Sequence, residues 1–115
     1  MSDDCLFCKI IAGKMGAKFV YQDELAVAFN DIHLMAPVHV LVAPIEHITA
    51  LSDVDSKHEV TAGHLLRVCN EVAKLNGIAD RGYRVVINCG PDGGQIVQHL
   101  HLHVLGGRKM QDNWG

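Results

Sequence analysis

From His99 to Leu105 polar and apolar residues alternate, with His99, His101 and His103 separated by Leu100, Leu102 and Val104. A period of two belongs to a half-buried β-strand, so the leucines and the valine face a core and the three imidazoles share the opposite face. Same-face neighbours on a strand stand about 6.5–7 Å apart. Upstream, Lys18 to Gln22 and Leu25 to Asn30 read as two short strands joined by a hairpin turn at Gln22-Asp23-Glu24. Val38 to Ala43 is a continuous apolar strand interrupted only by His39, and Pro44 ends it.

The period then lengthens. Ser56-Lys57-His58-Glu59 reads as a capping box, and Ala62, Leu65, Leu66, Cys69, Val72 and Ala73 recur at helical spacing up to Leu75, where Asn76-Gly77 supplies the stop. His58 and His64 fall on the solvated side of this helix, and Cys69 belongs to its buried stripe. At the other end of the chain, Asp3 or Asp4 caps a short helix that runs to about Ala12, with Phe7, Ile10 and Ile11 inward and Gly13 as its stop. Gly82 opens a strand from Tyr83 to Cys89, and the loop Gly90-Pro91-Asp92-Gly93-Gly94 returns the chain to the histidine strand. The order is short helix, three strands, long helix, two strands. This is an α+β domain.

Composition narrows the classes. The 115 residues suffice for a single domain spanning 1–115. Aromatics make up 5% of them, so the core rests on Ile, Val, Leu and Ala. A formal net charge of −3 and the lack of a Lys/Arg-rich run argue against a nucleic-acid partner, and no apolar run reaches the roughly 20 residues of a membrane span. The acidic Met1-Ser2-Asp3-Asp4 start has no signal-peptide pattern. A cytoplasmic, reducing location is expected, in which four cysteines are not a disulfide framework.

Three imidazoles in register are costly as mere surface, because each needs partners for two ring nitrogens and would repel the others if charged. They therefore mark a site. Two chemistries fit them: metal ligation by neutral rings at His-x-His spacing, and nucleophilic attack by a ring nitrogen with its neighbours managing protons. Gly93-Gly94, just before the histidines, can turn backbone N–H groups toward an anion. Cys5 and Cys8 lie three apart on the first helical turn and form half of a metal site. Asp31 and Asn88 by themselves are a turn residue and a strand-end residue. His33 and His39 carry no signal of their own.

His99-Leu100-His101-Leu102-His103-Val104-Leu105, with Gly94-Gln95 before it and Gly106-Gly107-Arg108 after it, resembles the histidine triad (HIT) nucleotide-binding proteins and within them the Hint-type purine nucleoside phosphoramidases. The likeness extends through Ala28-Phe29-Asn30-Asp31-Ile32, Ala36-Pro37-Val38-His39, Pro44-Ile45-Glu46-His47-Ile48 and Gly82-Tyr83-Arg84-Val85-Val86-Ile87-Asn88. It implies the HIT fold, a sheet of about five antiparallel strands with one long and one short helix, assembled as a C2 homodimer. It implies a hydrolase that binds AMP or GMP and uses no organic cofactor.

The same resemblance assigns roles. His101 attacks the α-phosphorus, His103 attends the phosphate oxygens or the leaving amine, and Gln95 lies near that leaving group. Asp31 holds the ribose hydroxyls; Phe7, Ile10, Phe29 and Ile32 make the base pocket; Asn88 and Gly94 meet the nucleotide. Cys5, Cys8, His47 and His99 would hold a structural zinc ion, which gives His99 two possible places, in the catalytic row or on the metal. Ile96 departs from the family, where a serine hydroxyl is usual, leaving its backbone N–H as the contact; Gln98 stands where an aromatic residue is common. Trp114, in the tail, either reaches a partner's site, as the resemblance implies, or is a frayed end. A dinucleoside polyphosphate hydrolase of the Fhit type and a nucleotide-binding scaffold with vestigial catalysis are the alternative readings.

Overall fold

The computed structural model describes residues 4–114. Helix α1 (Leu6–Ile11) is followed by strands β1 (Phe19–Gln22), β2 (Ala26–Asn30) and β3 (Val38–Pro44); two 3-10 turns (Leu51–Asp53, Ser56–His58) lead into helix α2 (Glu59–Leu75), and β4 (Arg84–Val86) and β5 (Leu102–Gly106) complete the chain. The five strands form one antiparallel sheet in the order β1-β2-β3-β5-β4. This is the α+β architecture expected, with β3 central and β1 and β4 at the edges.

A central strand must be apolar on both faces when both are covered, and β3 is. Val40 and Val42, with Ala26, Ala28, Leu102 and Val104, pack against the Leu65, Val68, Cys69, Val72 and Ala73 stripe of α2. Leu41 and Ala43 alternate to the other face, where Val27 and Phe29 join them beneath Phe7 of α1. Each large side chain so buried contributes about 1.5–3 kcal/mol. The pairing Leu41↔His103 and His39↔Leu105 puts His39 and His103 on the α1 face. Fold and site are thus set by the same register.

Several local expectations change. Cys5, not an aspartate, caps α1: its Sγ accepts the Cys8 N–H at 3.3 Å. Asp3 lies outside the described residues. The capping box before α2 is Asp55 with His58, one residue earlier than the Ser56 reading, because the helix enters through a 3-10 turn whose third residue is His58. His58 is buried between Asp55 and Glu46 rather than solvated. His64 is likewise engaged, 2.6 Å from Asp23 Oδ2, which also accepts the Tyr21 hydroxyl at 2.6 Å. Burial raises the Asp23 carboxyl, but hydrogen bonds from Tyr21, the Leu25 N–H, His64 and the Ala26 N–H outweigh it and hold the group well below the usual carboxylate range. This network ties the β1–β2 hairpin to α2. Burial pushes the Cys69 thiol up to about 11, which leaves it an inert core residue.

The fifth strand is shorter than its alternation suggests. Only His103 of the three histidines lies within β5; His99 and His101 precede it. The ladder with β3 ends at Val42↔Leu102, and upstream the chain bonds elsewhere: Leu100 N–H to the Ile48 carbonyl at 2.6 Å and the His99 ring to the Pro44 carbonyl at 2.9 Å. The alternation of faces survives all the same, since Leu100, Leu102 and Val104 lie in the α2 core.

Candidate active site

His101 comes first, because its two ring nitrogens are distinguished. Nδ1 is 2.7 Å from the His99 carbonyl oxygen, which only an N–H can approach so closely, so Nδ1 carries the proton and donates. Nε2 is left with its lone pair. Phe7 meets the ring edge-on, with centroids 4.9 Å apart, and fixes its plane from the α1 side. A neutral imidazole held this way is a nucleophile that needs no base.

The tautomer of His103 follows from its neighbour. The Met35 backbone N–H donates to His39 Nδ1 at 3.1 Å, so the proton of neutral His39 sits on Nε2, 2.9 Å from His103 Nδ1. His103 Nδ1 must accept, and its own proton sits on Nε2. That Nε2 is buried and has no hydrogen-bond partner among the described residues. A buried N–H without a partner is costly unless a ligand supplies the acceptor. Burial, and then the neighbouring His101 and His39 rings, lower the His103 pKa to about 4, so the ring is a neutral donor at neutral pH. His39, also lowered by burial, had no signal in the sequence; it shows there only as the one polar residue inside an apolar strand.

Asp31 Oδ2 stands 3.4 Å from His39 Nε2, which brings Asp31, His39 and His103 close enough to hold a cation. The donor set argues against it. A neutral ring ligating through Nε2 carries its proton on Nδ1, where the Met35 N–H already points. The cluster is a hydrogen-bond relay.

A second cluster behaves differently. Cys8 Sγ lies 3.3 Å from His47 Nδ1 and 3.6 Å from His99 Nδ1, which is 3.4 Å from Cys5 Sγ. Tetrahedral zinc with Zn–S about 2.3 Å and Zn–N about 2.0–2.1 Å sets sulfur–nitrogen edges near 3.5 Å. His99 Nε2–H donates to the Pro44 carbonyl, which frees Nδ1 for a metal, and His47 Nε2 has Thr49 Oγ1 at 3.3 Å. The four residues fit a closed Cys₂His₂ site. His99, fully buried, faces that cluster while its carbonyl orients His101.

The cavity in front of His101 is about 700 Å³, within the usual range for small-molecule sites. All ten residues read as nucleotide contacts line it: Phe7, Ile10, Phe29, Asp31, Ile32, Asn88, Gly94, Ile96, His101 and His103. Two sequence expectations do not hold in their detail. Gln95 is buried and wholly engaged with backbone, accepting from the Gly90 N–H and donating to the Thr49 and Val97 carbonyls, so its amide braces the loop instead of facing a leaving group. The Gly94 N–H, expected to face an anion, bonds to the Pro91 carbonyl within the turn, and Gly94 has φ +82°. Trp114 is exposed and stacks on Arg84 of its own β4 at 4.8 Å.

A family model described as HIT domain matches residues 12–110. The chain is 41% identical over 110 residues to a purine nucleoside phosphoramidase of Escherichia coli K12, covering 96% of this chain and 92% of that one. An uncharacterized HIT-like protein of Synechococcus elongatus is 46% identical over 96% of both chains. Among solved structures, a histidine triad protein from Clostridium difficile superposes with a TM-score of 0.94 at 42% identity, covering 98% of each chain. A HIT family hydrolase from Clostridium thermocellum gives 0.96 at 39%, covering 99% of each.

Proposed function

The chain belongs to the HIT domain family and is a hydrolase of that family, and from this premise we propose that it cleaves purine nucleoside 5′-phosphoramidates through a nucleotidyl intermediate on His101. The observation that carries the proposal is the pair of assigned tautomers: His101 presents a bare Nε2 and His103 an unpartnered Nε2–H, on rings 4.9 Å apart. A nucleophile and a donor at that spacing match a phosphorus and one of its oxygens. On the nitrogen-protonated substrate, His101 Nε2 forms a bond to phosphorus as the P–N bond breaks, and its electron pair leaves on the amine. His103 Nε2–H holds a phosphoryl oxygen through this step, where the donor strengthens as charge develops. The His99 carbonyl steadies the imidazolium through Nδ1–H. Water then displaces the imidazole and releases AMP or GMP, a proton and neutral His101.

In this reading Asp31 takes the ribose hydroxyls, Phe7, Ile10, Phe29 and Ile32 enclose the base, and Asn88, Gly94 and Ile96 flank the phosphate. Cys5, Cys8, His47 and His99 hold zinc as a structural ion that pins α1 to the loop before β5; bound there, it supplies rigidity and no step of the reaction. A C2 homodimer is supported by the outer edge of β4, unpaired among the described residues and carrying exposed Val85; a monomer mass by light scattering would reject it. A cytoplasmic setting accords with four cysteines that form no disulfide, and no helix among the described residues is long and apolar enough to cross a membrane.

The test is release of AMP from adenosine 5′-phosphoramidate set against release from diadenosine triphosphate. The proposal expects the first to be the better substrate and His101→Ala to abolish its turnover. Preference for the triphosphate would make the protein a dinucleoside polyphosphate hydrolase, and tight AMP binding without turnover of either would make it a scaffold.

A further inference from the structure

A second cavity of about 390 Å³ opens beside the first, and the two share one wall, Leu6, Ile96 and Val97. The rest of its lining is Asp4, Cys5, His47, Thr49 and Gln98, so it borders the Cys5 and His47 end of the thiol–imidazole cluster. The reading above, on which this inference rests, fills the larger cavity from one end to the other: base against Phe7 and Ile10, ribose at Asp31, phosphate at His101 and His103. Of the shared wall, that occupancy uses only Ile96, beside the phosphate, and gives Leu6 and Val97 no part. Ile96 has 90% of its surface exposed and Leu6 43%, a pair of large apolar side chains left in water between the two cavities. An exposed apolar residue alone needs no explanation, but a ridge of them joining a catalytic pocket to an unfilled groove does.

In-line displacement at phosphorus sends the leaving atom away from the attacking His101 Nε2. The groove adjoins the larger cavity at Leu6, Ile96 and Val97, three apolar side chains, with Asp4 as the one carboxylate in the rest of its lining. We propose that it is the leaving-group subsite, and that the chain favours phosphoramidates whose amine carries an apolar stem of several carbons lying over Leu6, Ile96 and Val97. Ile96 is then a specificity-determining residue: a hydroxyl at that position would contact the phosphoramidate nitrogen, whereas the isoleucine side chain favours the carbon attached to it. Apolar area covered only when the stem is present separates long amines from ammonia as leaving groups.

The experiment compares kcat/KM for adenosine 5′-phosphoramidate and its N-hexyl derivative in the wild type, Ile96→Ser and Leu6→Ser. Intrinsic P–N reactivity cancels in the ratio of the two substrates when it is followed from wild type to variant. The proposal expects that ratio to fall about tenfold in Ile96→Ser and severalfold in Leu6→Ser, with the thermal midpoint changed little because both side chains are already exposed. An unchanged ratio in both variants, with the unsubstituted compound still hydrolysed, would overturn the subsite and leave the phosphoramidase reading intact. Hydrolysis of neither compound by the wild type would overturn both.

Discussion

His39 never faces the reacting phosphorus in this account, yet its removal should slow the reaction. In His39→Ala, His103 loses the donor that keeps its Nδ1 an acceptor and its Nε2 protonated. One net hydrogen bond is worth about 0.5–1.5 kcal/mol, and freeing a packed side chain adds about 1 kcal/mol, so the donor is misplaced by roughly 1.5–2.5 kcal/mol. At about 1.36 kcal/mol per decade this is a loss of roughly 10- to 70-fold, expected in kcat with KM little changed. Deleting the donor itself in His103→Ala should cost more, about 10²- to 10³-fold. The two changes should not add: in a His103→Ala background, His39→Ala has nothing left to misplace. The assay is steady-state release of AMP from adenosine 5′-phosphoramidate by the four proteins of the cycle. It is run well below their melting midpoints, because emptying the buried His39 position strands the Met35 N–H at about 1–3 kcal/mol. His39→Gln, whose amide can still donate to His103, should recover part of the rate. Full activity in a folded His39→Ala protein, or additive losses in the double variant, would refute the relay.

Protein purified without a polyhistidine tag should carry one zinc per chain by metal analysis, and Cys5→Ser or Cys8→Ser should lose it and lower the melting midpoint by about 10 °C, as loss of about 2 kcal/mol does in a domain of this size; stoichiometric metal in both variants would reject the ligand set. Stability should fall as pH drops through 6.5 and level off near 4, because there the unfolded chain binds a proton that His103 in the fold refuses. The slope should be shallower in His103→Asn; identical urea-unfolding free energies against pH would refute it. Gln95→Ala should destabilise by about 2–3 kcal/mol, leaving the Gly90 N–H and two carbonyls without their partner, and an unchanged midpoint would show that the loop does not depend on it.

The sheet was legible because its faces are written in local periods: the unbroken apolar run of β3 and the alternation from His99 to Leu105 both specify burial without reference to any distant residue. The ten residues expected from family likeness to meet a nucleotide line one cavity. What the sequence hid is long-range. Where β5 begins depends on the Ile48 and Pro44 carbonyls drawing the chain away from β3. The role of His39 depends on a strand register that places it beside His103. Gln95 had a partner-rich buried setting that no local pattern announces, and Cys5 took a cap from the aspartates because its sulfur accepts the Cys8 N–H. Side chains whose partners lie 40 or more residues away leave no trace in a window of ten.

The covalent step is open to direct observation. Wild-type protein mixed with adenosine 5′-phosphoramidate, quenched within one turnover and measured intact by mass spectrometry, should carry one adenylyl group that peptide mapping places on His101, acid-labile and missing from His101→Ala. An adenylyl group on another residue, or fast release of AMP with no bound nucleotide at any quench time, would contradict attack by His101 Nε2.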